Sequence, residues 1–396
     1  MSFAAGRTYV AIPGPSVVPD RVLQAMHRPA PNIYEGALHE MTASLIPDLR
    51  RVAMTAEHVA IFIGNGHAAW EAANANMLSR GDRVLLPATG LFGLGWANSV
   101  RRMGVEVDLI DFGRSAPIDP GRVEAALRAD RDQRIRAVLV THVDTATSVR
   151  NDIHAVRQAI DAAGHPALLA VDAIASLGCD EIRMDDWGVD VLLAARQKGL
   201  MTPPGLAFLW FSERAREACR GVDLRTPYWD WGPRAAPGEY WQYFCGTAPT
   251  HHLYGLREAL TMILEEEGLP QVWARHDRLA RAVWAAAQAW GAGADIRLNV
   301  ADPAARGRSV TSVRIAGGAA RLRAWTEAEA GVTLGIPLGM AEAGDPAYGD
   351  WLRVAHMGHV NAHMTLGVLA VMEAGMQALG IARGPGALEA AARAVV

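Results

Sequence analysis

Residues 189–205 read VDVLLAARQKGLMTPPG, and the fold turns on them. The run Val189–Ala194 is short, continuous and apolar, as expected of a strand buried on both faces. Lys198 follows a few residues later. Pro203, Pro204 and Gly205 then force an irregular turn. A buried strand that ends in a polar turn is the repeating unit of an open α/β sheet, whose ligands sit at the carboxyl ends of the strands. Of the 38 lysine and arginine residues in this chain of 396, Lys198 is the only lysine. Arginine can supply charge at a solvated surface equally well. It cannot supply a neutral amine, because guanidinium stays protonated and is a poor nucleophile. A sole lysine is therefore a candidate covalent catalyst. Its rival reading, a surface residue that survived by chance, fits poorly with a position just past a buried strand.

Working outward, Arg83–Pro87, Ala137–Thr141 and Ala167–Val171 are further apolar runs. They alternate with helical patterns over Ala68–Leu78, Pro120–Ala129 and Ile153–Ala163. That alternation predicts a mostly parallel sheet with helices on both faces. The pattern changes after about Arg220. Arg225–Tyr243 is rich in Trp, Tyr and Pro and reads as an ordered aromatic loop, and helices are expected over His252–Glu267 and Leu269–Trp290. Beyond Gly291 the composition predicts a smaller α+β domain, with strands over Val310–Ile315 and Leu352–Ala355 and a closing helix near Met364–Leu379. We expect an N-terminal arm (1–20), a large domain (21–265) and a small C-terminal domain (266–396). Gly291–Ala294 is the best linker candidate, unless a long helix joins the domains.

Bulk composition narrows the function classes. Hydrophobic residues make up 51% and charged residues 20%, enough for a large core and little disorder. The net charge of −4 comes with no basic stripe, which argues against nucleic acid as the main partner. Cys179, Cys219 and Cys245 are odd in number and widely spaced, which suits a reducing cytosol and offers no metal-site spacing. The start, MSFAAGRTYVAIPGP, has no long apolar signal core. Glu373 interrupts the most apolar late stretch, Met364–Ile381, so that stretch reads as a helix of a soluble, cytoplasmic protein.

Several other positions carry chemistry. Asp172 ends the run ALLAVD, where a buried carboxylate is costly without a partner. It either caps the next segment or holds the proton on the ring nitrogen of pyridoxal phosphate. Lys198, one strand later, favours the second reading. Gly64-Asn65-Gly66-His67 opens a helix and can present backbone N–H groups to a phosphate, although an ordinary turn explains it equally well and His67 could simply cap the helix. Phe92, between Gly90 and Gly93, is either a core residue or a ring that stacks on the cofactor. Thr145 ends another strand, where its hydroxyl either reaches the cofactor's phenolic oxygen or closes a turn. Arg353 sits inside an apolar strand. It needs an anion, either an internal acid or a substrate carboxylate. His356 and His359 read as packing or capping residues, without zinc spacing.

Taken in order, Gly66-His67, Phe92, Thr145, Asp172, Gln197-Lys198 and Arg353 resemble the class V, fold-type I pyridoxal phosphate aminotransferases, in particular the serine–glyoxylate and alanine–glyoxylate group. The resemblance runs from Pro13 to about Gly380. It is most specific in GHAAWEAA, HPALLAVDAIASLG, QKGLMTPPG, LYGLREAL and LRVAHMGHVN. It implies a seven-stranded large-domain sheet and a homodimer with active sites shared between subunits. Lys198 would form the Schiff base with pyridoxal 5′-phosphate and move the proton, and Asp172 would pair with the pyridine nitrogen. Phe92 would stack on the ring and Thr145 would lie near the phenolic oxygen. Gly66, His67 and Gln197 would hold the phosphate, joined by Thr247 of the second subunit. Arg353 and Tyr34 would bind the substrate. The expected reaction is ping-pong transamination between serine or alanine and glyoxylate or pyruvate.

Three positions depart from the family pattern. Ala195 and Arg196 replace the usual residues before the lysine, and Phe244 stands where a tyrosine would reach the neighbour's phosphate. Arg196 is therefore a candidate for a rebuilt phosphate cup. The chain also resembles the pyridoxamine–pyruvate aminotransferases, which take the unphosphorylated vitamin as substrate; that is the alternative activity. A lyase or desulfurase of this fold, with Cys245 as its thiol, and a cofactor-binding regulator are weaker rivals.

Overall fold

The computed structural model describes residues 2–342 and 344–396. Near the N-terminus lies a short strand, β1 (Tyr9–Ala11). Seven strands then build the main sheet: β2 (His58–Gly64), β3 (Arg83–Ala88), β4 (Glu106–Asp111), β5 (Ile135–Thr141), β6 (Leu168–Asp172), β7 (Val191–Ala195) and β8 (Gly205–Phe211). Their order is β2-β8-β7-β6-β5-β3-β4. Only β8 runs against the rest, pairing antiparallel with both β2 and β7. The architecture is the mostly parallel α/β sheet that the alternating runs predict.

Burial explains why the central strands read as continuous apolar runs. Val138, Val140, Leu169, Val171 and Leu192 point into one core. Leu139, Ala170 and Leu193 point into a second core on the opposite face. With both faces covered, the alternation expected of a half-exposed strand disappears. The edge strand β4 reads differently, as EVDLID, and is largely exposed. Its Glu106 is bonded to Arg83 of β3 at 2.8 Å.

A three-stranded antiparallel sheet follows, built from β9 (Ile296–Leu298), β10 (Val310–Ile315) and β12 (Trp351–Ala355) in the order β12-β10-β9. The remaining strand, β11 (Val332–Leu334), pairs in parallel with β1 and so stitches the N-terminal segment to the C-terminal part of the chain. The helix Leu269–Trp290 belongs to two cores. Leu269 and Val272 pack with the main sheet, whereas Ala282, Val283 and Trp290 pack with the small one. Among the described residues, no helix is long and apolar enough to cross a membrane.

One helix departs from expectation. The pattern over His252–Glu267 resolves into an α-helix, Thr250–Thr261, and a wider π turn, Met262–Glu267. The wider turn fans out three consecutive acids. Glu265 meets Arg51 at 2.5 Å, Glu266 meets Arg21 at 2.8 Å and Glu267 meets Arg275 at 2.7 Å.

Candidate active site

Strands β2, β3, β5, β6 and β7 point the same way, so Gly64, Ala88, Thr141, Asp172 and Ala195 end along one edge of the sheet. The loops that leave this edge enclose a cleft of about 220 Å³. Seven residues singled out in the sequence line it together: Gly66, His67, Phe92, Thr145, Asp172, Gln197 and Lys198. Asn65, Trp70 and Ile174 complete much of the wall.

Asp172 is buried, with Oδ1 accepting the Ile174 N–H at 2.8 Å and Oδ2 accepting the Trp70 indole N–H at 2.8 Å. Burial pushes its pKa up to about 7, against the pull of these two donors. Lys198 contacts the Pro13 carbonyl through Nζ. Burial and the nearby Arg353 bring its amine down to about 8, with Asp172 pulling the other way. A carboxyl and an amine that both titrate near neutrality, facing one cleft, are suited to exchanging protons. Gly14, at φ +95°, lets the chain pass this close, because a Cβ there would lie 2.6 Å from Nζ.

Phe92 stands on the first turn of the helix Leu91–Arg102. Its N–H and that of Gly93 donate to the buried Asp144 carboxylate at 2.8 and 3.4 Å, so a residue of the loop after β5 caps this helix from outside. On the helix Gly66–Met77 the cap is Asn65 rather than His67. Asn65 Oδ1 accepts the N–H groups of His67 and Ala68 at 3.1 and 3.4 Å.

Arg353, in β12, does not itself line the cleft; it reaches across to the loop after β5. Its Nη1 donates to Thr145 O at 2.9 Å and its Nε to Ile336 O at 2.7 Å. Among the described residues no carboxylate forms an ion pair with it. Burial lowers its pKa to about 10.

Other expectations fare differently. Thr247 is exposed and does not line this chain's cleft. Tyr34 is 84% exposed and also lies outside it. Arg196 does not rebuild a phosphate cup. It follows the buried end of β7, turns away from the cleft, and donates to the His252 and Pro204 carbonyls at 2.8 and 3.4 Å while also contacting His252 Nδ1. Phe244 does not reach toward a neighbour. It is 1% exposed and packs inside its own subunit near the rings of Tyr240 and Tyr243. His356 packs as expected, bonded to Thr311 and to the Arg308 carbonyl. Among the described residues, no group of three or more acidic, histidine or cysteine side chains is placed to hold a metal.

Sequence reading missed Trp70, Asn65 and Asp144. An asparagine directly before a helical run signals an N-cap, which would have found Asn65. Nothing local marks Trp70 or Asp144, whose partners are 102 and 52 residues away.

These residues fit pyridoxal phosphate. Asp172 is held where a ring nitrogen can share its proton. Gln197 lines the cleft, where its amide N–H groups could donate to a phosphate, and an amine faces the cleft from Lys198. The comparisons agree. The family model for class-V aminotransferases matches residues 9–335. The chain is 35% identical to a serine–glyoxylate aminotransferase of Methylorubrum extorquens, over 98% of this chain and 95% of that protein. It is 35% identical to an L-aspartate–glyoxylate aminotransferase of Paracoccus denitrificans, over 94% and 92%. Among solved structures, the pyridoxamine–pyruvate aminotransferase of Mesorhizobium loti superposes with a TM-score of 0.87 at 26% identity, covering 99% of this chain and 97% of that one. The ureidoglycine–glyoxylate aminotransferase of Bacillus subtilis gives the same TM-score and identity, covering 98% of each. With its sheet edge, its Lys198 and Asp172 facing one cleft, and these relatives along nearly its whole length, the chain belongs to the class-V aminotransferases, enzymes that depend on pyridoxal 5′-phosphate.

Proposed function

We propose that the chain moves the amino group of a small amino acid, serine or alanine, to a small 2-oxo acid, glyoxylate or pyruvate, in two half-reactions that share one site. The observation that carries this reading is that Lys198 and Asp172 face one cleft, while Arg353, which does not line it and has no acid partner among the described residues, is close enough to act on the Lys198 amine. Pyridoxal phosphate, when bound, supplies a carbonyl for amines and a ring that accepts the electron pair left at the substrate α-carbon. The protein's own groups do the rest. Lys198 would accept the proton from the donor's α-carbon and hand it to the cofactor in the first half-reaction, and would return a proton to the α-carbon of the acceptor in the second. Asp172 would share a proton with the ring nitrogen. Phe92 and Thr145 would hold the ring and its phenolic oxygen. Gly66, His67 and Gln197 would hold the phosphate, helped by Thr247 of a second copy of the chain in a cytoplasmic homodimer. Arg353 grips the substrate carboxylate through two parallel N–H donors, as guanidinium does best.

The test is amino transfer by the cofactor-loaded protein, with serine, alanine or aspartate as donor and glyoxylate or pyruvate as acceptor. Appearance of the paired products is expected, and its failure with every pair overturns the reading. One observation favours a second activity, amino transfer from unphosphorylated pyridoxamine to pyruvate. Asn65 already occupies two of the helix N–H groups that a phosphate would use. Cofactor-free protein given pyridoxamine and pyruvate, with no phosphate ester, decides the matter. Many turnovers to pyridoxal and alanine would replace the first reading.

A further inference from the structure

Two adjacent residues of the helix Leu269–Trp290 grip a single glycine. The Gly358 N–H donates to His276 Nε2 at 3.0 Å, and Arg275 Nη1 donates to the Gly358 carbonyl at 3.0 Å. The same Nη1 takes the Val360 carbonyl at 2.8 Å. Arg275 is oriented by Glu267, which accepts its Nε and Nη2 at 2.7 and 2.9 Å. The tautomer of His276 follows from its other contact. Its Nδ1 lies 2.7 Å from the Val272 carbonyl, which can only accept, so Nδ1 carries the proton and Nε2 offers its lone pair to Gly358. The ring is fully buried.

Gly358 in turn faces the catalytic turn. It sits at φ +78°, and a Cβ on it would lie 3.0 Å from Ser16 Oγ and 3.2 Å from the Lys198 carbonyl. Ser16 closes the path. Its hydroxyl donates to the Lys198 carbonyl at 2.7 Å and its N–H donates to the Gln197 carbonyl at 2.9 Å. The segment that carries Ser16 also carries Pro13, whose carbonyl meets Lys198 Nζ. A continuous path of contacts therefore runs from a helix shared by two cores, through Gly358 and Ser16, to both ends of Lys198.

We propose that His276 and Arg275 are positioning residues for Lys198, holding Gly358 as the surface against which Ser16 fixes the lysine backbone. The proposal rests on Lys198 being the reactive amine. It predicts an effect on the amine rather than on substrate capture. Arg353 is held by the carbonyls of Ile336 and Thr145 and by its bridge to Gly335, and none of these contacts passes through Gly358.

His276→Phe keeps a ring and removes the acceptor, leaving the Gly358 N–H buried and unpaired. In the cofactor-loaded enzyme, with alanine and glyoxylate, we expect kcat to fall about tenfold while the KM for alanine stays within about twofold. His276→Gln, whose amide oxygen can stand in for Nε2, should recover kcat to within about threefold of wild type. A second readout does not depend on activity. Lys198 is the only lysine, so amine-selective acetylation of the cofactor-free full chain, followed by peptide mass spectrometry, reports on this one side chain. Its labelling rate should rise about fivefold in His276→Phe and much less in His276→Gln. Equal losses in both variants, a rise in KM alone, or an unchanged labelling rate would each overturn the proposal. If His276→Phe does not fold, Ser16→Ala tests the near end of the same path. There kcat should fall about threefold with faster labelling, and no change in either sinks the idea. Wild-type protein that transfers no amino group from alanine would count against the proposed substrates, while the labelling comparison would still judge the positioning.

Discussion

Asp172 and Arg353 are opposite charges, both buried and both acting on Lys198, and the protein satisfies them in opposite ways. Asp172 has both oxygens engaged by its own subunit, through the Trp70 indole and the Ile174 amide. Arg353 has two backbone carbonyls and, among the described residues, no carboxylate. The acid whose charge acts on it, Asp144, already accepts N–H groups from Phe92, Gly93 and Ala146. A buried charge without a counter-charge is a cost that a native fold tolerates where a ligand removes it. The difference separates a buried acid that the chain already satisfies from a buried cation left without a counter-charge among the described residues.

The largest expected effect lies at Lys198, on which both charges act. Lys198→Arg keeps the charge and the length of the side chain but removes the amine, so turnover should drop below about 1% of wild type. Residual turnover of more than a few per cent would remove Lys198 from the reaction. Asp172→Asn comes next. A neutral amide cannot hold the pyridinium proton, so proton removal from the donor α-carbon should slow by roughly a hundredfold or more in single-turnover experiments. If the rate is unchanged, the cofactor wall has been misplaced. Arg353→Lys tests the cation left without a counter-charge. It retains a cation and loses the planar fork, so the KM for the amino donor should rise roughly tenfold or more while kcat moves little. A fall in kcat at constant KM would mean that Arg353 serves the cofactor side after all, and the contrast with Asp172 would collapse.

The same contrast sets what could be read from sequence. Asp172 and Lys198 each follow a central strand whose two faces are buried, so a polar residue there stands out against an apolar run. Arg353 was visible for the same reason inside WLRVA. The supporting residues were not. Trp70 looks like any core aromatic on the helix Gly66–Met77, and His276 like any polar residue on a long helix, because their partners are 102 and 82 residues away. Edge strand β4 escaped because half of it is acidic and exposed, and its partner Arg83 lies on a different run. Arg196 misled for a physical reason. The residue two before Lys198 points away from the cleft, and the carbonyls of His252 and Pro204 receive it rather than a phosphate.

The smallest effect tests how tightly Asp172 is set. Trp70→Phe keeps most of the ring and deletes the N–H that Asp172 Oδ2 accepts at 2.8 Å. That hydrogen bond favours the ionised carboxylate, so losing it should raise the Asp172 pKa further, by about one unit for a hydrogen bond of about 1.4 kcal/mol. The stability of the cofactor-free protein reads this out. In the folded chain Asp172 titrates near 7, whereas in the unfolded chain it titrates near the ordinary aspartate value of about 3.9. Between those values the folded state holds the extra proton, so this group's contribution to stability falls as pH rises, and the loss is complete once pH passes the folded pKa. In Trp70→Phe the loss continues for about one further pH unit. The gap between wild type and variant should therefore be wider at pH 8.5 than at pH 5.5, by about 1 kcal/mol in denaturant unfolding. The depressed amine of Lys198 is present in both proteins and cancels to first order in the difference. A gap that stays constant across this range would mean that the indole packs against Asp172 without tuning it, and that the carboxylate is held by the Ile174 amide alone.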